Sequence, residues 1–368
     1  MIRGEATAPR VSVVVRSYNR LSILPELLTA LLAQDHDSFE IVVVEQSTIR
    51  PPADVARVEQ LASDRRVRIL RHEPLGGPRA RNAGVRAARG EVLVFIDDDD
   101  LPAGRDWLRR HEANFADPRC LGATGRSFLD GTDPDDVPER KLQKARRRVL
   151  SFGLLKWQRV WVCADRRTLV QSLHGSNAAV RRSTVERFGL WDECTPIEDE
   201  PSIAYRINAG KRPDEYLLFD PEVLMIRRLD EPGGMDKRAM PAHVYAQRVF
   251  TFLHNVVAHY FPMRFALLYP LYFLLTAQRA TDWILTFSRK HSTFGQRALA
   301  IGGLYVALPF LWSSWLAAAW YQRLRHGELP HHPKLSPVPA AAAGALAPPV
   351  HSAAVEPIAA RASRVSVP

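Results

Sequence analysis

Asp97, Asp98, Asp99 and Asp100 stand in a row directly after the apolar run Val92 to Ile96. Carboxylates crowded in this way repel one another and lose hydration. A divalent cation relieves both problems. Hard oxygen ligands suit Mg²⁺ or Mn²⁺, commonly held by one or two carboxylates together with substrate phosphates. The alternatives are a solvated acidic turn, or carboxylates capping a helix that begins near Trp107. Two more polar groups end apolar runs. Ser17-Tyr18-Asn19 follows Val11 to Val15, and Glu45-Gln46 follows Ile41 to Val44. Glu45 accepts hydrogen bonds, whereas Gln46 both donates and accepts them.

The elements that must carry these groups are legible in the spacing. Val11 to Val15 reads as a buried strand. Ser22 reads as the N-cap of a helix whose Leu24, Leu27, Leu28 and Leu31 share one face. Ile41 to Val44 and Val67 to Leu70 are further strands, with Asp54 to Ser63 helical between them. Arg79 to Arg89 is a helix stopped at Gly90, and Val92 to Ile96 is the strand that delivers the aspartates. Alternating strands and helices with near-continuous apolar strands predict an α/β, Rossmann-like, mostly parallel sheet with helices on both faces. Ligands of such sheets bind beyond the carboxyl ends of the strands. All three polar groups lie at strand ends and so converge on one edge.

Composition sets the outer bounds. The 368 residues are 46% apolar, which allows a sizeable core and excludes wholesale disorder. A net charge of +10 favours anionic partners. Nucleic acid is not expected among them, because the aromatic residues gather in an apolar C-terminal part instead of alternating with basic ones. Cys120, Cys163 and Cys194 show neither metal-ligand spacing nor a disulfide framework, which suits a reducing compartment. The polar stretch before Val11 offers no signal-peptide core, so the chemistry is expected on the cytoplasmic side.

Several segments taken together resemble the family 2 glycosyltransferases. They are Val11-Ser-Val-Val-Val-Arg-Ser-Tyr-Asn-Arg20, Gly77-Pro-Arg-Ala-Arg-Asn-Ala-Gly84, Gly90 to Asp99, Gly175-Ser-Asn177 and Glu198-Asp199. The resemblance runs over about residues 10 to 228 and implies a GT-A fold. It also implies inverting transfer from a nucleoside diphosphate sugar, with Mn²⁺ or Mg²⁺ held by a DxD motif whose outer positions are Asp97 and Asp99. Asp199 is then the base that deprotonates the acceptor hydroxyl, with Glu198 beside it. The donor is expected at Ser17, Tyr18, Asn19, Glu45, Gln46, Arg79, Arg81, Asp98, Gly175, Ser176, Asn177 and Arg227. Three departures from the family matter. Glu45-Gln46 replaces a commoner acidic pair and leaves UDP, dTDP and GDP open. Arg16 stands where proline is more frequent. Arg227 stands where relatives often have a metal-ligand histidine, and it can pair with a diphosphate but not with a metal.

The chain thus divides into a tail over residues 1–9, a GT-A domain over 10–238, a helical apolar and aromatic region over 239–326, and an Ala- and Pro-rich tail over 327–368 expected to be disordered. Ala298 to Trp320 is uncharged and long enough to span a bilayer, although alanine, serine and glycine dilute it. It reads as helices in the membrane interface, as one spanning helix, or as a cap on the catalytic domain, with interfacial helices the leading expectation. The basic stretch Arg140 to Arg148 adds attraction to anionic lipid. The acceptor expected from this is a lipid-linked or cell-envelope glycan. Rival readings are a sugar nucleotidyltransferase, which lacks support in any Gly-rich lysine loop after the first strand, and a non-enzymatic basic membrane-binding protein.

Overall fold

Successive side chains of a strand face opposite ways, and in the first strand both directions are apolar. Val11, Val13 and Val15 join one core cluster, and Val14 joins the other. A strand buried on both sides belongs inside a sheet covered by helices. The computed structural model shows such a sheet; it describes residues 8–136, 165–173, 175–193 and 200–228, with scattered positions between 263 and 320. The strands are β1 (Val11–Ser17), β2 (Phe39–Glu45), β3 (Val67–Arg71), β4 (Val92–Asp97), β5 (Asp100–Pro102), β6 (Cys120–Leu129), β7 (Thr168–Val170), β8 (Ala178–Arg181) and β9 (Tyr216–Arg227). The helices of this part are α1 (Leu24–Leu32), α2 (Pro52–Ala62), α3 (Gly77–Ala87), α4 (Trp107–Ala113), α5 (Arg182–Phe188) and α6 (Glu200–Gly210).

Strands run in the order β3-β2-β1-β4-β8-β6-β9-β5, with β7 also paired to β9. On one face α1, α2 and α4 contribute Leu24, Leu27, Leu28, Leu31, Val58, Trp107 and Leu108 to the core. On the other, α3, α5 and α6 contribute Val85, Val185, Ile203 and Ile207. The expected α/β sheet with helices on both faces is present. Its expected parallel character holds only for β3-β2-β1-β4 and for β6 with β9. The pairs β4·β8, β6·β8, β5·β9 and β7·β9 are antiparallel, so the sheet is mixed. β8 runs beside β4 in the opposite direction, an arrangement that does not require the crossover connection parallel neighbours need.

Two local expectations also give way. Ser22 does not cap α1; the N-cap is Ile23, without a side-chain cap, and the chain enters on a turn whose Arg20 carbonyl accepts from Ile23 and Leu24 N–H. Gly90 lies beyond the end of α3, where a Cβ would come within 2.5 Å of the Ser12 amide nitrogen. Close backbone approach explains that glycine.

The C-terminal expectations are described only at scattered positions. A helical stretch begins at residue 294 behind a capping box, in which Thr293 N donates to Gln296 Oε1 and Gln296 N to Thr293 Oγ1. Among the described residues no helix is long and apolar enough to cross a membrane. The tail from 327, the basic stretch 140–148, Cys163 and Cys194 lie outside the described residues. Cys120 is a buried free thiol, pushed up by burial to about 11.

Candidate active site

Strand register assembles the site. In the parallel pairing of β1 with its neighbours, Arg16 lies opposite Asp97 and Ser17 opposite Glu45. Neighbouring strands are about 4.8 Å apart, so the ends of β2, β1 and β4 form one continuous polar rim. The antiparallel strands complete it. Pairing of Phe95 with Ala178 puts the turn Gly175-Ser-Asn177 beside the end of β4, and pairing of Asp100 with Arg227 brings the end of β9 against the acidic run.

Asp97, Asp99 and Asp100 each present one carboxylate oxygen, and these atoms lie within 4.8 Å of one another. Asp100 is almost fully buried, and its Oδ2 has no hydrogen-bond partner among the described residues. A buried oxygen without a partner inside a trio of hard donors fits a divalent cation such as Mn²⁺ or Mg²⁺. Asp100 was not among the metal ligands expected from sequence. Its place in the trio depends on the β5·β9 pairing, which no local pattern announces.

Arginines balance this charge. Arg16 Nε donates to Asp97 Oδ1 at 2.9 Å, and Arg20 NH1 reaches Asp98 Oδ1 at 2.8 Å and Asp99 Oδ2 at 2.9 Å. Arg227 Nε stands 3.6 Å from Asp100 Oδ1 and its NH2 donates to Ser176 Oγ at 2.8 Å. Arg228 Nε donates to the Asp99 carbonyl. Burial opposes ionisation of Asp97, yet Arg16, with Arg81 and Arg227 contributing, holds its carboxyl well below the usual range. At Asp98 burial prevails over Arg20 and lifts the carboxyl to about 6. Burial also lifts Asp100 well above the usual carboxylate range, against Arg227 and with the repulsion of Asp97 and Asp99.

Other expected donor residues serve one another. Tyr18 N donates to Asp98 Oδ2, so the buried Asp98 holds the loop after β1. Asn19 sits at φ 54°, a conformation asparagine tolerates better than most residues. Its Oδ1 accepts from the Thr48 and Ile49 amides and its own amide donates to Ser47 Oγ, which clamps the loops after β1 and β2 together. Glu45 and Gln46 are nearly buried. Glu45 takes Ser47 N and Arg50, and Gln46 Oε1 takes Leu75 N.

Arg79 and Arg81 part company. Arg79 is exposed and lies 3.7 Å from Glu193, as a surface residue would. Arg81 is 2% exposed, donates to the Gly175 carbonyl and packs over the rings of Phe95 and Trp191. Ser176 and Asn177 are buried, and Asn177 is wholly enclosed by protein bonds to α4, β6 and β9. Its side chain thus supports the turn from within. Sequence reasoning missed Arg20 as a partner of the aspartates, although its position one residue after Asn19 was on view. Glu198 and Asp199 lie outside the described residues.

Residues 12–188 match the sequence profile of Glycosyl transferase family 2. Among curated proteins it is similar to the putative glycosyltransferase EpsH of Bacillus subtilis, at 36% identity over 92 residues, which are 25% of this chain and 26% of that protein. The uncharacterized glycosyltransferase EpsJ of Bacillus subtilis is 34% identical over 121 residues, 33% of this chain and 34% of that one. The matches thus span about a quarter to a third of these relatives' lengths. Among solved structures, the fold is similar to that of the mannosyltransferase PcManGT from Pyrobaculum calidifontis in complex with GDP-Man and Mn²⁺, with TM-score 0.51 and 22% identity over 88% of this chain and 89% of that one.

Proposed function

We propose that the chain transfers a sugar from a nucleoside diphosphate sugar to an acceptor hydroxyl, inverting the anomeric carbon. The observation that carries this reading is the cluster of Asp97, Asp99 and Asp100 at the carboxyl edge of a sheet whose sequence matches a glycosyltransferase family profile. A divalent cation held by these three carboxylates would supply Lewis-acid stabilisation of the departing diphosphate. Arg16 and Arg227, and more distantly Arg81, add positive charge where negative charge develops. The rim formed by Ser17, Tyr18, Asn19, Glu45 and Gln46 shapes the nucleoside end, with Asn19 keeping the two loops in register. Asp199, beside Glu198, takes the acceptor proton as the hydroxyl attacks. No second carboxylate is needed as an acid, because the leaving group departs as a stabilised diphosphate.

The acceptor is proposed to be a lipid-linked or envelope glycan met at the cytoplasmic membrane face. Supporting this, Leu299, Val306, Phe310 and Trp320 are each helical and exposed. Calorimetric titration of UDP, dTDP and GDP, with and without Mn²⁺, tests the donor site in the wild type and in an Asp97→Ala/Asp99→Ala variant. One nucleotide should bind with Mn²⁺ and lose at least about tenfold in affinity, about 1.4 kcal/mol, without it or in the variant. Binding indifferent to both metal and mutation would overturn the site.

A further inference from the structure

Arg16 is the penultimate residue of β1 and pairs with Asp97. The two residues are register partners, and Arg16 Nε donates to Asp97 Oδ1 at 2.9 Å. The far side of the same guanidinium lies over the first residue of α3: a Cβ on Gly77 would be 2.6 Å from Arg16 NH1. The guanidinium therefore bridges the first carboxylate of the acidic run and the start of an 11-residue helix that has no side-chain cap. Uncapped N–H groups at a helix start and a planar guanidinium are both groups that phosphate oxygens seek. A divalent cation, in turn, seeks the carboxylate that Arg16 now holds. Without an anion present, the two cations compete for Asp97. With a diphosphate present, Arg16 gains an anionic partner besides Asp97 and the competition eases.

We propose that Arg16 is a resident counter-ion that makes divalent-cation binding at Asp97, Asp99 and Asp100 conditional on the nucleoside diphosphate. The diphosphate draws the guanidinium from Asp97 towards the start of α3, and the carboxylate is then released to the cation. Arg16 is thereby a positioning residue that orders binding, anion before or together with metal. This rests on the reading of the site given above, so the test must separate the two. Gly77 is part of the device, because any larger residue there would crowd the guanidinium.

The experiment is Mn²⁺ titration followed by the electron paramagnetic resonance signal of free Mn²⁺, on the full chain. It compares wild type, Arg16→Gln, Arg16→Met and Arg16→Lys, each checked for folding by circular dichroism. Mn²⁺ is added alone and then with saturating UDP, dTDP or GDP. With Mn²⁺ alone, the two neutral variants should bind at least about tenfold more tightly than wild type, about 1.4 kcal/mol, and Arg16→Lys should stay near wild type. A merely structural role for Arg16 would not raise metal affinity. With the diphosphate present the difference should shrink to below about threefold, under 0.7 kcal/mol. Equal Mn²⁺ affinity in wild type and neutral variants, with the diphosphate acting equally on both, overturns the role of Arg16 and leaves the metal site standing. Absence of Mn²⁺ binding in every protein, with or without diphosphate, overturns the metal reading and this inference with it.

Discussion

Asn177 has no solvent contact, and its amide is fully used. Oδ1 accepts from Trp107 Nε1 at 3.0 Å and from His111 Nε2 at 3.1 Å, and Nδ2 donates to the carbonyls of Arg126 and Val223. Oδ1 of Asn177 requires the Nε2–H tautomer of His111, whose Nδ1 is buried without a partner among the described residues. Protonation there would bury an uncompensated charge, and burial accordingly lowers His111 to about 3, against the small opposing effect of its bond to Asn177. A histidine whose folded value lies below its unfolded one gives stability that is complete above about pH 6.5 and declines as pH falls towards 3. The slope it contributes approaches about 1.4 kcal/mol per pH unit within that window. Urea unfolding at pH 7, 6, 5 and 4 should show stability falling with acid, and His111→Gln should flatten that decline. Parallel curves would mean that His111 is not the source. The Gly-Ser-Asn turn was legible as a motif. What Asn177 does was not, since its partners are 46 to 70 residues away in sequence.

Among the elements, α3 matters most to the site because it carries Arg81 and begins under Arg16. Gly84 sets its height over the sheet: a Cβ there would stand 2.4 Å from Val14 Cγ1 and 3.2 Å from Val44 Cγ2. Beyond its last turn, Arg89 pairs with the buried Glu40 and Gly90 N donates to Ser12 Oγ. Gly84→Val must lift the helix or displace two core valines, an overpacking that costs about 1–3 kcal/mol. The melting temperature should fall by several degrees, roughly 2–8 °C for a domain of this size, and nucleotide affinity should fall with it as Arg81 shifts. Unchanged melting would show that α3 is not seated through Gly84. The strands β1 to β4 were legible because each is a near-continuous apolar run. Strands β6 to β9 carry Gly122, Thr124, Gly125 and Asp220 inside them and a register shift after Gly125, so periodicity faded. The expectation of a mostly parallel sheet came from the legible half alone.

At the scale of the whole molecule the question is what the excess of ten positive charges faces. Around the site, arginines are absorbed by aspartates, so the surplus must act elsewhere. Towards the C-terminal part, the chain exposes Phe294 and Leu299 on the helical stretch that starts behind Thr293, followed by Val306, Phe310 and Trp320. Large apolar side chains left in water suit the boundary of headgroups and acyl chains, and a basic protein is drawn there by anionic lipid. The full chain should therefore sediment with vesicles containing phosphatidylglycerol and much less with purely zwitterionic ones, and salt should weaken the attachment as the Debye length contracts. A Leu299→Glu/Phe310→Glu variant should lose attachment by at least about tenfold, about 1.4 kcal/mol, while Mn²⁺-dependent nucleotide binding is retained. If the wild type stays in the supernatant with anionic vesicles, these exposed residues serve some other contact and the acceptor need not be presented at a membrane.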